Sequence, residues 1–479
     1  MPDARLNLIG GAWVAGDHAV ENRNPSDLTD VIGLYASGSA ADVARAVEAA
    51  RAAQPFWAAA GPQARADLLE RIARGIDARE AEFATLLARE EGKILAEALA
   101  ETRRAAQIFR FHAGEALRVT GDAVDSVRPG VEVTATREPL GVVGLITPWN
   151  FPIAIPAWKL APALAHGNAV VLKPAELVPG TAHLLVQVIQ DAGCPPGLVN
   201  LVMGAGAVVG QAMIDSPGID GISFTGSVAT GRHIARQAGA RLLKVQLEMG
   251  GKNPMVVLDD ADLDLAVAAC LNGAFFSTGQ RCTASSRLIV QDGIHDAFVA
   301  ALTGRMQALR VGAALDPTSQ IGPVASGPQL ASNLDYAALA ATEGCAVIGG
   351  ARLDRATEGF FQAPALFVNA SNQMRVAREE IFGPCAAVIR VRDLDEALAT
   401  ANDTDLGLSA GICTGSLKHA TAFRRGARAG MVMVNLPTAG VDYHVPFGGT
   451  KGSSFGAREQ GRHAVEFYTT VKTAYSFGG

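Results

Sequence analysis

The sequence predicts an α/β fold built around parallel sheets. Three observations carry that prediction: short apolar segments recur along the 479 residues, amphipathic helical segments separate them, and glycine or proline marks many of the junctions. Strand–helix–strand alternation of this kind covers both faces of a sheet with helices, so the strands are apolar throughout.

The elements follow in order. Residues 40–53 (AADVARAVEAARAA) and 62–92 place apolar side chains at helical spacing with charges between them, which predicts two amphipathic helices. A third helix covers about 93–118 and ends near Gly121. Residues 131–138 (VEVTATRE) alternate as a half-buried strand does, and 141–146 is a short apolar strand. From there the types alternate: strand 169–172, helix 181–192, strand 199–202, a helix from Gly210, strand 219–224 and helix 227–238. The second half repeats the style with strand 254–258, helix 263–276, strand 287–291 and helix 296–309. No fixed-period repeat or low-complexity linker interrupts the chain, so two α/β units packed about a cleft are expected.

Composition excludes several classes. With 49% hydrophobic and 18% charged residues the chain has the balance of a globular protein, not a disordered one. A net charge of −6, with the basic residues scattered, gives no footprint for nucleic acid. The opening MPDARLNLIGGAW lacks the basic-then-apolar pattern of a secretory leader. The most apolar region, 142–172, is broken by Pro148, Pro152, Pro156 and Lys159, so no membrane span is expected. The six cysteines form no CxxC pair and no zinc-ligand spacing, which points to no metal and to reduced thiols in a cytoplasm.

Three residues stand out chemically. Cys282 lies in STGQRCT, after an apolar helix and before a strand, where glycine and small polar residues suit a turn that presents a thiol. A lone cysteine is more often a small core residue, although the adjacent Arg281 would favour the thiolate. Glu248, in LEMGGKNP, precedes a glycine pair that permits close backbone approach; standing alone it reads first as a surface glutamate before a turn. Asn150, in TPWNFP, is flanked by two prolines that fix the backbone, and either donates to an oxyanion or caps a turn.

These segments resemble, in order and separation, the motifs of the aldehyde dehydrogenase superfamily. The resemblance spans essentially the whole chain: PWNFP at 148–152, KPAE at 173–176, FTGS at 224–227, EMGGKNP at 248–254, GQRC at 279–282, EEIFGP at 379–384 and PFGG at 446–449. It implies a Rossmann-type cofactor domain (1–119 and 141–249), an α/β catalytic domain (250–447) and a small β oligomerisation extension (120–140 and 448–479). It also implies that Cys282 is the nucleophile and Glu248 the general base. Asn150, with the Cys282 backbone N–H, would form the oxyanion hole. Lys159 and Glu459 match positions associated with proton release, or form a structural ion pair. A glutamate at 248 favours hydrolysis of the thioester over transfer to coenzyme A.

The same resemblance implies NAD, with NADP possible. Lys173 and Glu176 match residues that hold the adenosine ribose, Gly226 and Ser227 open the helix facing the pyrophosphate near Trp149, and Glu380 and Phe382 hold the nicotinamide end. Ile146 and Phe224 complete the crevice. The run Gly204–Gly210 imitates a dinucleotide fingerprint with one residue too many, so Gly206 and Gly210 are expected to border the adenine cleft.

Longer stretches, among them GAFFSTGQRCTASSR and AGVDYHVPFGGTKGSS, are most similar to bacterial α-ketoglutaric semialdehyde (2,5-dioxopentanoate) dehydrogenases. Such a substrate ends in a carboxylate, so a cation is expected in the tunnel: Arg104 first, Arg281 second. Phe151, Trp158 and Phe276 would form its walls. Other enzymes for this aldehyde carry an arginine where this chain has Trp158, and succinate semialdehyde or another small polar aldehyde is the alternative. A cysteine esterase, or a non-catalytic structural protein on this fold, are the rival classes. The resemblance also implies a homodimer or homotetramer, with 120–140 and 469–475 extending a neighbour's sheet.

Overall fold

Two large sheets organise the computed structural model, which describes residues 4–479. In the first, strands Val199–Leu201, Ala169–Lys173, Val142–Ile146, Gly221–Thr225 and Lys244–Glu248 lie side by side and parallel. Ranked by sequence their order is 3-2-1-4-5, so the connections reverse direction at Val142–Ile146 and leave a crevice beyond its C-terminal end. Antiparallel strands Asn7–Ile9 and Ala12–Val14 extend one edge, and Ser454–Phe455 closes the other.

The second sheet runs Ala346–Gly349, Ala365–Val368, Cys385–Val391, Ser285–Gln291, Asn253–Val257, Ser409–Cys413, Met431–Val434, parallel except for Ala346–Gly349. Its strands feed two cores, because alternate side chains leave opposite faces of a strand. Met255 and Val257 enter one core; Val256 and Leu258 enter the other. This is why the strands read as continuous apolar runs.

The expected single helix over 62–92 is two helices, Gly61–Ala78 and Glu80–Glu91. Arg79 leaves the helical region (φ −112°, ψ 20°), and Glu80 and Glu82 then favour a new N-terminus. The apolar region 142–172 divides into strand, helix Ala154–Ala165 and strand. Among the described residues no helix is long and apolar enough to cross a membrane. Strand Thr469–Phe477 pairs along its length with Val131–Pro139, which also pairs with Asp122–Asp125. The run Gly206–Gly210 forms one π-helical turn, which absorbs the extra residue of the imitation fingerprint before helix Gln211–Asp215.

Candidate active site

Cys282 sits between the two sheets, on the turn that leads into strand Ser285–Gln291. Asn253 fixes this turn: its Nδ2 donates to the carbonyls of Cys282 (2.8 Å) and Ala284 (2.9 Å). The glycine pair after Glu248 passes through the narrow space beside it. A Cβ on Gly251 would stand 2.5 Å from the Cys282 carbonyl oxygen, and one on Gly250 would land on the Glu380 carboxylate. Backbone approach of this kind admits only glycine.

Burial, reinforced by the carboxylates of Glu380 and Glu248, pushes the Cys282 thiol up to about 12, while the backbone N–H groups of Thr283 and Cys282 pull it down. The expected help from Arg281 does not appear. Its guanidinium is paired with Glu97 (3.4 Å) and Asn272 (3.3 Å), and a cation already neutralised by a carboxylate does little for a neighbouring thiolate.

Asn150 is buried, and its Nδ2 donates to the Gln280 carbonyl at 2.9 Å, two residues from Cys282. An amide nitrogen carries two hydrogens, so one remains for a ligand. Glu248 ends strand Lys244–Glu248 opposite Ser454, whose hydroxyl donates to its Oε2 at 2.5 Å. Burial and the Glu459 carboxylate hold the Glu248 carboxyl well above the usual carboxylate range. Lys159 and Glu459 form a wholly buried ion pair, and Lys159 Nζ also donates to Ser223 Oγ at 2.7 Å.

The expected cofactor residues gather at the crevice where the strand order reverses. Ile146 and Phe224 lie near the ends of adjacent strands, and beyond them the Thr147 and Thr225 hydroxyls are buried without a partner. Ser227 caps helix Val228–Arg241, accepting from Thr230 N–H at 3.2 Å, with Gly226 just before it. Glu176 Oε1 accepts from Gly206 N–H at 2.7 Å. Lys173 is buried, which lowers its ammonium to about 8. Gly206 has open space where a side chain would stand, and Gly210 nearly so. Trp149 meets Phe382 edge to face at 5.3 Å, and Phe382 holds a left-handed φ of 61°. Glu380 Oε1 accepts from Gly251 N–H at 2.8 Å, and burial lifts its carboxyl to about 7.

The Aldehyde dehydrogenase family pattern matches residues 13–474. The chain belongs to that family. It is 44% identical over 476 residues to the alpha-ketoglutaric semialdehyde dehydrogenase of Bacillus subtilis, covering 98% of this chain and 97% of that one. It is 38% identical over 471 residues to the 2,5-dioxopentanoate dehydrogenase of Saccharolobus solfataricus, covering 98% of each. In architecture it is similar to betaine aldehyde dehydrogenase from Staphylococcus aureus in complex with NAD+, with a TM-score of 0.97 at 34% identity over 99% of this chain and 95% of that one.

In this aldehyde dehydrogenase a cavity of about 470 Å³ opens onto Cys282. Arg104, Arg281, Phe151 and Trp158 line it. Phe276 does not: the left-handed turn at Ser277 (φ 52°) and Thr278 (φ 55°) brings Ser277 to the wall instead. Arg104 Nη2 donates to Gln460 Oε1 at 3.1 Å, while its Nε is buried without a partner. Trp158 stacks on Phe447 (5.4 Å between centroids).

Sequence reasoning missed Lys93, Glu101, Ser454, Asp442 and Tyr443. The signal for Lys93 was present: EEGK at 90–93 sets four charged or turn residues against an otherwise helical run, and Gly92 breaks it at φ +91°. Ser454 gave no signal, since only the sheet edge brings it to Glu248.

Proposed function

We propose that the chain oxidises a small aldehyde to its acid with a nicotinamide dinucleotide, and that the aldehyde is 2,5-dioxopentanoate, yielding 2-oxoglutarate. One observation carries the substrate reading: Cys282 and Arg104 line the same cavity, so an aldehyde reaching the thiol can present a distal carboxylate to the guanidinium. The names of the relatives from Bacillus subtilis and Saccharolobus solfataricus support the same aldehyde.

The crevice at the strand reversal fits a dinucleotide. Open space at Gly206 and unpartnered hydroxyls at Thr147 and Thr225 are the features such a ligand would fill. Lys173 and Glu176 would hold the adenosine ribose, Gly226 and Ser227 the pyrophosphate at a helix N-terminus, and Trp149, Glu380 and Phe382 the nicotinamide end. Glu176 favours the free 2′-hydroxyl of NAD over the 2′-phosphate of NADP. When bound, the nicotinamide supplies the hydride acceptor.

The chain's own residues supply the rest. Cys282, as thiolate, adds to the aldehyde carbon. The remaining Asn150 N–H and the Cys282 backbone N–H hold the alkoxide that forms, each donor contributing about 3–4 kcal/mol. Oxidation leaves a thioester on Cys282. Glu248 then takes a proton from the attacking water; a raised pKa makes it the stronger base once it is deprotonated. The buried Lys159–Glu459 pair stands beside it to pass the proton onward.

Residues 1–119 and 141–249 would bind cofactor, 250–447 would carry the nucleophile, and 120–140 with 448–479 would join copies of the chain. The test is a panel of aldehydes run with NAD and with NADP, following the reduced cofactor. We expect 2,5-dioxopentanoate with NAD to give the highest kcat/KM and betaine aldehyde, a cation facing Arg104, to give a low one. A preference for betaine aldehyde would overturn the substrate reading, and turnover without nicotinamide would overturn the reaction.

A further inference from the structure

A buried cation holds the Asn150 loop at the wall of the Cys282 cavity. Lys93 is 3% exposed and follows the helix break at Gly92. Its ammonium donates to Glu101 Oε2 at 2.5 Å and to the Asn150 carbonyl at 2.8 Å, and lies 4.4 Å from the centroid of the Phe151 ring. With the Glu91 carboxylate 3.8 Å away, these contacts surround the ammonium group. Glu101 uses its other oxygen to accept from the N–H groups of Ile153 and Ala154, both at 3.1 Å, at the start of helix Ala154–Ala165. The Asn150 carbonyl and the residues that follow it are thus tied to one ion pair.

The tie continues to the cysteine turn. Glu91 accepts from the Lys93 backbone N–H at 2.9 Å and from Gln280 Nε2 at 3.4 Å. Gln280 accepts in turn from Asn150 Nδ2 at 2.9 Å through its carbonyl, and from Ala325 N–H at 2.9 Å through its side chain. Asn150, Lys93, Glu91 and Gln280 therefore form a closed ring of hydrogen bonds. One side of the ring carries the expected oxyanion donor, and the other lies two residues from the thiol.

Burying an ammonium ion is costly unless it is fully paired, and a purely apolar side chain could fill the same volume. An apolar residue could not hold the Asn150 carbonyl and the Glu101 carboxylate together. We propose that Lys93 is a positioning residue for catalysis: paired with Glu101, it fixes the Asn150 main chain so that the free amide N–H faces the oxygen of the substrate attacked by Cys282. This rests on the reading of Asn150 as oxyanion donor given above. Lys93 and Glu101 also line the Cys282 cavity, and the split between kcat and KM separates action through Asn150 from direct contact with the aldehyde.

A double-mutant cycle tests it. Asn150→Ala is expected to lower kcat by roughly 10²–10³, as loss of one oxyanion donor does elsewhere. Lys93→Met is expected to lower kcat by roughly tenfold to a hundredfold with KM for the aldehyde within about threefold, a fraction of the effect of removing the donor itself. In the Asn150→Ala background, Lys93→Met is expected to cost less than about twofold more, because residues acting as a unit are non-additive. Lys93→Met with Glu101→Gln removes both charges of the hydrogen-bonded pair, so Glu101 is not left as an unpaired carboxylate, and is expected to show the same kcat loss in a chain that folds more readily. The proposal is overturned if Lys93→Met or the charge-neutral pair folds with unchanged kcat, or if the loss multiplies in full with that of Asn150→Ala. Unchanged kcat in Asn150→Ala alone would instead overturn the oxyanion reading, and this inference with it.

Discussion

Arg104→Ala is the most informative substitution in the cavity. The guanidinium has one protein acceptor, Gln460 Oε1 at 3.1 Å, and a buried Nε without any. The carboxylates of Glu101 and Asp442 reach it with their charge but do not occupy its donors. A substrate carboxylate would therefore gain one or two charge-assisted hydrogen bonds there, each of about 1.5–3 kcal/mol. Taking about 2–4 kcal/mol for the set, kcat/KM for 2,5-dioxopentanoate should fall by roughly 30- to 900-fold. Pentanal, of equal length without the carboxylate, provides the control. It loses the Gln460 contact and the packing equally, so its kcat/KM should change by less than about fivefold. The assay is initial-rate formation of reduced cofactor with both aldehydes on both proteins. An equal loss for the two substrates would refute the carboxylate role of Arg104, whatever its size.

Two further predictions concern ionisation. With the Cys282 thiol pushed up to about 12, its alkylation by iodoacetamide in cofactor-free protein should accelerate with pH through the alkaline range; a plateau near neutrality would contradict the assigned environment. The Glu91 carboxyl is raised from 4.5 to about 8 by burial, so between those values the folded chain keeps a proton that the unfolded chain releases. Its contribution to stability is complete below about 4.5 and is lost as pH rises through about 8. Glu91→Gln, which cannot ionise, should therefore gain Tm relative to the parent as pH climbs through that window, and a constant difference would contradict the shift.

The legible parts of the fold were those whose signal is local. Strands such as Val142–Ile146 and Ala169–Lys173 are apolar runs because both faces are covered, and a run can be read without knowing its neighbours. Strand Lys244–Glu248 was not legible: it carries Lys244, Gln246 and Glu248, and the buried Gln246 is satisfied by distant partners, donating to the carbonyls of Ala457 and Arg458 and accepting from Ser223. The break at Arg79 lacks glycine or proline, so helical periodicity ran through it. At the site, Cys282, Glu248 and Asn150 were found through motifs, not through their own chemistry. The groups that tune them lie far off in sequence: Ser454 is 206 residues from Glu248, and Lys93 is 57 from Asn150. Such partners are fixed by strand pairing and by loop packing, which leave no periodic trace.

In the proposed reaction, water activated by Glu248 resolves a thioester on Cys282. Glu248→Gln mixed with 2,5-dioxopentanoate and NAD, quenched in acid and examined by intact mass, tests it most directly. One equivalent of reduced cofactor in a burst, little turnover after it, and an acyl group retained on Cys282 are expected. Sustained turnover with no acyl group on the protein would contradict it.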